Sequence, residues 1–233
     1  GGLIDTVEIA RPGFINVRLS TEWLTTQVDA IRHEGATFGN IDLGRGQKVQ
    51  VEFVSANPVG PIHVGNGRGL ALGDTLARVL GAAGYEVQRE YLVNDAGTQT
   101  ATFAATLYAR YQQLFGREVA IPEGGYPGEY MIDLALGLKE RCGDSLLRPE
   151  GEPHPPEVHD LGVEMMLDTI KRDLAGIGVH YDNWFSERSL YKTGTYEKTM
   201  ALLRENGYVA EREGATWLVS SSLGEEKDNV LVR

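Results

Sequence analysis

Val51-Glu-Phe-Val-Ser-Ala-Asn-Pro-Val-Gly-Pro-Ile-His-Val-Gly-Asn66 is the stretch whose reading decides the fold. The apolar run Val49, Val51, Phe53 and Val54 reads as a buried strand. A polar, proline-broken turn follows. His63-Val64-Gly65-Asn66 then opens a helical pattern running from Gly67 to Ala83. A strand, a turn with side-chain donors and a helix N-terminus together favour a nucleotide phosphate, because free N–H groups and the helix dipole both attract an anion there.

Working outward, Lys48 to Val93 forms a strand–helix–strand unit. The helix is expected to carry Leu72, Leu76, Val79 and Leu80 on one side, with Gly84 just past its end. Residues 85–93 alternate and then turn apolar, as a second strand does. Crossovers of this kind are right-handed and build parallel sheets, whose ligands sit at the carboxyl ends of the strands. Those ends fall near residues 54–58 and 93–97. The fold class expected is α/β, with a parallel nucleotide-binding sheet.

Residues 1–20 read as a short β segment around Pro12-Gly13, and Ser20 can cap a helix striped by Trp23, Leu24, Val28 and Ile31. Three helices are expected over 96–115, 128–141 and 157–176, separated by proline-containing stretches. Val179 to Phe185 reads as a returning strand, and 194–205 as a helix. Tyr208–Glu211 and Thr216–Ser220 flank Gly214 like a hairpin. Asn229 to Arg233 reads as an apolar core strand, an unusual place for a chain to stop.

Composition narrows the function classes. The hydrophobic fraction is 42% and the net charge −11. That acid excess argues against a general nucleic-acid surface, which needs clustered Lys and Arg. The stretch 149–170, acidic without Lys or Arg, reads as a solvated helix face. No apolar run approaches the roughly 20 residues of a membrane span, and no basic leader opens the chain. The lone Cys142 excludes an internal disulfide and a cysteine zinc site, and fits a reducing cytosol. His154 and His159 have intervening prolines and no third ligand nearby, so no zinc is assigned. Gly65-Asn-Gly-Arg-Gly69 with Glu90 approaches a dinucleotide fingerprint, but Leu70 or Leu72 stands where its third glycine belongs.

The signature Ala56-Asn57-Pro58-Val59-Gly60-Pro61-Ile62-His63-Val64-Gly65-Asn66 resembles the His-Ile-Gly-His motif of class I aminoacyl-tRNA synthetases, and more narrowly the arginyl-tRNA synthetase family. Gly65–Arg78, Glu90–Gly97, Trp184–Tyr191 and Gly224–Val232 resemble later blocks of the same catalytic domain, in order. Four blocks in order carry more weight than one short motif.

The resemblance implies a Rossmann-like catalytic domain, incomplete here, with a helical insertion. The division expected is a tail of an N-terminal domain with a linker helix (1–46), the first half of the nucleotide-binding domain (47–96), the insertion (97–177) and the start of the second half (178–233). It implies activation of L-arginine with ATP, accompanied by Mg2+, and transfer to tRNA(Arg). By the same resemblance His63, Gly65 and Asn66 contact ATP, His63 and Asn66 being catalytic, and Ser55, Ala56, Asn57 and Asn66 hold arginine. Glu52 either faces the pocket or is an exposed strand residue. Ser55 and Asn57 also suit turn formation, and His63 read alone suits a surface turn. Asn94 and Asp95 can cap the next helix, and stand at a strand end where a supporting role beside the ligand is open; Gln99 lies one turn further on.

Asn66 departs from the family pattern, which has histidine there; an amide donates a hydrogen bond but carries no charge. No Lys-Met-Ser-Lys loop occurs in the chain. That loop, the guanidinium-reading residues and the anticodon-binding domain are expected beyond Arg233, so the chain alone is expected to be inactive. A cytoplasmic, monomeric protein without membrane contact is expected. The alternatives are a non-catalytic synthetase-like module binding tRNA or ATP, and another His-signature nucleotidyltransferase.

Overall fold

The computed structural model describes residues 2–232. Their contacts fall into two compact units, Gly1–Val51 with Thr75–Gln88, and Glu52–Asp74 with Arg89–Arg233.

In the first unit, β1 (Ile4–Ala10) and β2 (Phe14–Leu19) form an antiparallel hairpin, with Val7 opposite Val17 and Ala10 opposite Phe14. Helix α1 (Thr21–Glu34) is capped as its sequence predicts: the Ser20 hydroxyl accepts from the Trp23 N–H at 3.2 Å. Its expected stripe is not buried, for Leu24, Val28 and Ile31 are all exposed. Strand β3 (Lys48–Glu52) begins in this unit, and the loop before it is stitched to the end of α2 (Val64–Ala82). Ile41 N–H donates to the Ala82 carbonyl at 2.8 Å and Gly44 N–H to the Ala83 carbonyl at 2.7 Å.

The second unit carries the parallel pairing. Strand β4 (Glu86–Val93) ends here and pairs with β5 (Asn183–Ser186), setting Tyr91 beside Trp184 and Val93 beside Ser186. The strand order is β3-β4-β5. Between β4 and β5 the chain makes α3 (Thr98–Gln113), α4 (Tyr130–Cys142) and α5 (Pro156–Gly176). Their packing supplies most of this unit's core: α3 packs on α4 and α5, and Phe103, Leu107, Tyr111, Met131, Leu138, Met166 and Ile170 are all fully buried. After β5 come α6 (Arg188–Lys192), α7 (Thr195–Glu205) and an antiparallel sheet of β6 (Val209–Arg212), β7 (Ala215–Leu218) and β8 (Asn229–Val232). The β6–β7 turn puts Glu213 and Gly214 at φ of 53° and 72°, the two positive angles of a two-residue hairpin. The chain is therefore α/β, with parallel pairing and helices inserted between paired strands.

Several elements differ from their sequence reading. Helix α2 starts at Val64 rather than Gly67. Leu72, Leu76 and Val79 are exposed, and the buried positions are Gly73 and Ala77. The physical reason is close approach: a Cβ on Gly73 would lie 2.2 Å from the Phe53 ring, so small residues rather than large ones mark the inward face. The returning strand is shorter than expected, because Val179–Asp182 precede the ladder and only Asn183–Ser186 join it. Strand β8 is not a core strand, since all four residues are exposed. Asn94 and Asp95 do not cap α3, whose cap position is Gly97 without a side-chain bond.

Candidate active site

Between β3 and α2 the chain turns sharply. Val54 and Ser55 take φ of 66° and 44°, uncommon for any side chain and more so for a β-branched one. This turns Ser55 back on its own strand: its hydroxyl donates to Glu52 Oε1 at 2.8 Å and accepts from the Leu92 N–H at 3.1 Å. Glu52, exposed at the end of β3, is thus fixed by a serine three residues on. Asn57 Nδ2 donates to Gln99 Oε1 at 2.5 Å, which brings Gln99 of α3 into the site. Pro58 is buried, and Ala56 and Val59 offer their carbonyls to tyrosines.

Gly60, Pro61 and Ile62 lead into the start of α2, where His63, Val64, Gly65 and Asn66 form a reciprocal cap. The Gly65 N–H donates to His63 Nδ1 at 3.0 Å, and the His63 N–H donates to Asn66 Oδ1 at 3.2 Å. Asn66 takes the reciprocal position of a capping box, while His63 accepts from the second helical amide rather than the third. Because Nδ1 accepts, the neutral ring carries its proton on Nε2. His63 is exposed, so that proton is available to an acceptor in front of the helix. Val64 is 97% exposed and takes no part in the core. A Cβ on Gly65 would lie 2.7 Å from His63 Cε1, so a glycine is needed for the ring to fold onto the backbone.

A cavity of about 360 Å³ is lined by Asn57, Asn94, Gln99, Glu187 and Tyr191 with residues 96–98. It opens at the carboxyl end of β4, where parallel sheets hold ligands. Asn94, with its amide oriented to satisfy its neighbours, donates to Glu187 Oε2 at 2.8 Å and to the Ala96 carbonyl at 3.0 Å. Asp95 faces elsewhere. It accepts from Ser186 Oγ at 2.6 Å and from the Arg188 N–H at 2.9 Å, joining the ends of β4 and β5 and closing the start of α6. Beside it lies a second cavity of about 410 Å³, lined by His154, His159, Asp160 and Arg188 among others. There the Arg188 guanidinium, which hydrogen-bonds Asp160, holds that carboxyl below its ordinary value, with a smaller contribution from His159. Among the described residues no group of three His, Cys, Asp or Glu converges as a metal site would need.

The predicted site residues therefore fall into three sets: the Glu52–Ser55 pair, the Asn57–Asn94 cavity and the His63–Asn66 cap. Sequence reading did not assign Glu187 and Tyr191 to the site, although both lie in the block Trp184–Tyr191 just after the returning strand. It also missed Tyr91, Tyr130 and Tyr181. Their hydroxyls donate to the carbonyls of Ala56 at 2.9 Å, Val59 at 2.8 Å and Phe53 at 3.0 Å. Burial pushes the Tyr91 hydroxyl up to about 12 and raises Tyr130 and Tyr181 as well, so all three remain donors at neutral pH.

Known proteins resemble this chain in sequence and in fold. Residues 27–123 match the family of class I (R) tRNA synthetases, catalytic domain. Over 233 residues, the whole of it, the chain is 48% identical to an arginine–tRNA ligase of Dehalococcoides mccartyi and 49% identical to one of Desulfitobacterium hafniense. In each case it spans 42% of the relative's length. A crystal structure from Campylobacter jejuni assigned to an arginyl-tRNA synthetase superposes with a TM-score of 0.77 at 34% identity, covering 92% of this chain and 47% of that one. The arginyl-tRNA synthetase of Thermus thermophilus, at 24% identity and a TM-score of 0.56 over 99% of this chain and 39% of that one, shares the fold. In sequence and fold this chain is similar to arginine–tRNA ligases, and over its whole length it spans 42% of the relatives it matches.

Proposed function

We propose that this chain is part of an arginine–tRNA ligase, and that residues 52–66 with 94–99 and 187–191 form the half of its site that receives ATP and the amino acid. The observation that carries this reading is the His63–Asn66 cap, which leaves the ring Nε2–H in front of α2, at the positive end of the helix dipole. In the proposed reaction the arginine carboxylate attacks the α-phosphorus of ATP, the adenylate forms and pyrophosphate leaves with the electron pair of the broken P–O bond. Catalysis of such a step is chiefly positioning and charge stabilisation. His63 Nε2–H donates to a phosphate oxygen as charge moves onto the leaving group, assisted by the helix dipole. Gly65, having no side chain, leaves room for the nucleotide. Asn66 holds His63 in register by accepting its backbone N–H.

Ser55, the Ala56 backbone and Asn57 orient the amino acid. Glu52 and the Glu187 carboxylate at the 360 Å³ cavity give this side of the site a negative lining suited to a cationic substrate. Asn94 and Asp95 support it, one through Glu187 and the other by joining the strand ends. Mg2+ finds no protein cage among the described residues and enters only as the counter-ion that ATP brings. Transfer to tRNA(Arg), a monomeric state and a cytoplasmic location belong to the same proposal. Among the described residues no helix is long and apolar enough to cross a membrane.

The division of the chain into an N-terminal tail and linker (1–46), a first catalytic half (47–96), an insertion (97–177) and the start of a second half (178–233) also belongs to this proposal. The test is His63→Ala in the full-length protein. Loss of one transition-state donor lowers kcat for arginine-dependent pyrophosphate exchange by about two to three orders of magnitude, with KM for arginine little changed. A variant with wild-type kcat removes His63 from the mechanism.

A further inference from the structure

The loop from Phe53 to Pro61 makes a demanding turn. Val54 and Ser55 sit one after the other at positive φ, a conformation that persists only where the surroundings over-determine it. Nothing within the loop does so: its own backbone bonds are the short-range Ser55 N–H to the Phe53 carbonyl and Val59 N–H to the Asn57 carbonyl, at 3.0 and 2.8 Å.

We propose that Tyr91, Tyr130 and Tyr181 are positioning residues for the site, their hydroxyls gripping the loop carbonyls of Ala56, Val59 and Phe53 and so holding Ser55 on Glu52 and Asn57 on Gln99. The three carbonyls are spaced three residues apart, and their donors come from β4, from α4 and from the segment ahead of β5. Each donor stands on a fixed base. Tyr91 is fully buried and stacked on Trp184 at 4.4 Å, and Tyr181 stacks on Phe53 at 4.6 Å. Tyr130, at the start of α4, ties the helical insertion to the loop. A displaced carbonyl at 56 or 59 would move the Asn57 amide between them, so the clamp acts on substrate affinity through the loop and touches no reacting atom. The inference rests on reading this loop as the substrate-facing one.

The experiment uses the full-length protein with Tyr130→Phe and Tyr181→Phe, each removing a single hydroxyl. The comparator is Tyr111→Phe, whose hydroxyl makes an equivalent buried bond to the Gly143 carbonyl at 2.6 Å, away from the loop. Two quantities are read: hydrogen exchange of the Ser55 and Val59 amides, and arginine-dependent pyrophosphate exchange. The clamp variants should exchange these amides about tenfold faster and raise KM for arginine about fivefold or more with a smaller change in kcat. Tyr111→Phe should leave both within about twofold even where it lowers Tm. Unchanged amide exchange in both clamp variants, or an equal rise in KM in Tyr111→Phe, overturns the inference. If the wild-type protein shows no arginine-dependent exchange, the ligase reading fails, and the amide rates alone then decide the clamp.

Discussion

Asn66 stands where the family resemblance expects histidine, and the structure gives it work of a different kind. Its Oδ1 accepts the His63 N–H while His63 Nδ1 accepts the Gly65 N–H. The cap therefore selects the ring tautomer with the proton on Nε2. Gly65 makes this possible, because a Cβ there would stand 2.7 and 2.8 Å from two atoms of the ring. Gly65→Ala should consequently separate stability from activity. Gly65 is the second residue of α2, outside the helix interior where alanine gains roughly 0.5–1 kcal/mol over glycine, so Tm should change little. The ring must swing off the backbone, and kcat for arginine-dependent exchange should fall about tenfold, corresponding to about 1.4 kcal/mol in the barrier. Wild-type kcat in this variant would show that the ring's seat on Gly65 is irrelevant. The placement of Ser55, Asn57, His63 and Gly65 between β3 and the start of α2 was legible in the sequence because their order is a motif. Glu187 and the three tyrosines were not, because what matters in them is a partner 35 to 128 residues away in the chain, as Tyr91 to Ala56 and Tyr181 to Phe53 show.

At the scale of elements, α3, α4 and α5 were readable from apolar spacing and proline breaks, and the β6–β7 hairpin from Gly214. Helix α2 was read correctly as a helix and wrongly as to its face, since sequence periodicity weights bulk while this helix buries Gly73 and Ala77. Strand β8 shows the same limit: apolar composition marks a strand without saying whether it is covered. Its attachment is instead polar. Asp228 accepts from the Ser221 hydroxyl at 2.7 Å, from the Ser221 N–H at 3.1 Å and from Arg212 Nη1 at 2.7 Å, linking β6, the segment after β7 and the start of β8. These bonds, the Ser221 hydroxyl first, hold the Asp228 carboxyl below its ordinary value. A depressed carboxyl stabilises the fold above its unfolded value, about 3.9, and the contribution is lost as pH falls through the folded value. Fluorescence of Trp217 on β7 should therefore report loosening of this sheet below about pH 4. Asp228→Asn should be looser at neutral pH and lack the acid step. An identical acid profile in the variant would remove Asp228 as its source.

At the scale of the whole molecule, the α/β class and the order of the blocks were legible because parallel sheets and their crossovers constrain a chain strongly. The pairing of β4 with β5 across three intervening helices was not, since no local signal reports which strand a returning segment joins. The chain matches ligases of which it spans 42%, so the activity is a property to be measured on the full-length protein. The central claim is that the His63 cap and the cavity lined by Asn57, Asn94 and Glu187 serve activation of a cationic amino acid by ATP. The most direct test is pyrophosphate exchange by the full-length protein, with each amino acid supplied in turn. The account predicts exchange with arginine, and with each other amino acid a kcat/KM lower by about three orders of magnitude or more, as a site built around paired polar groups discriminates. Exchange driven by a different amino acid, or none with arginine, would contradict it.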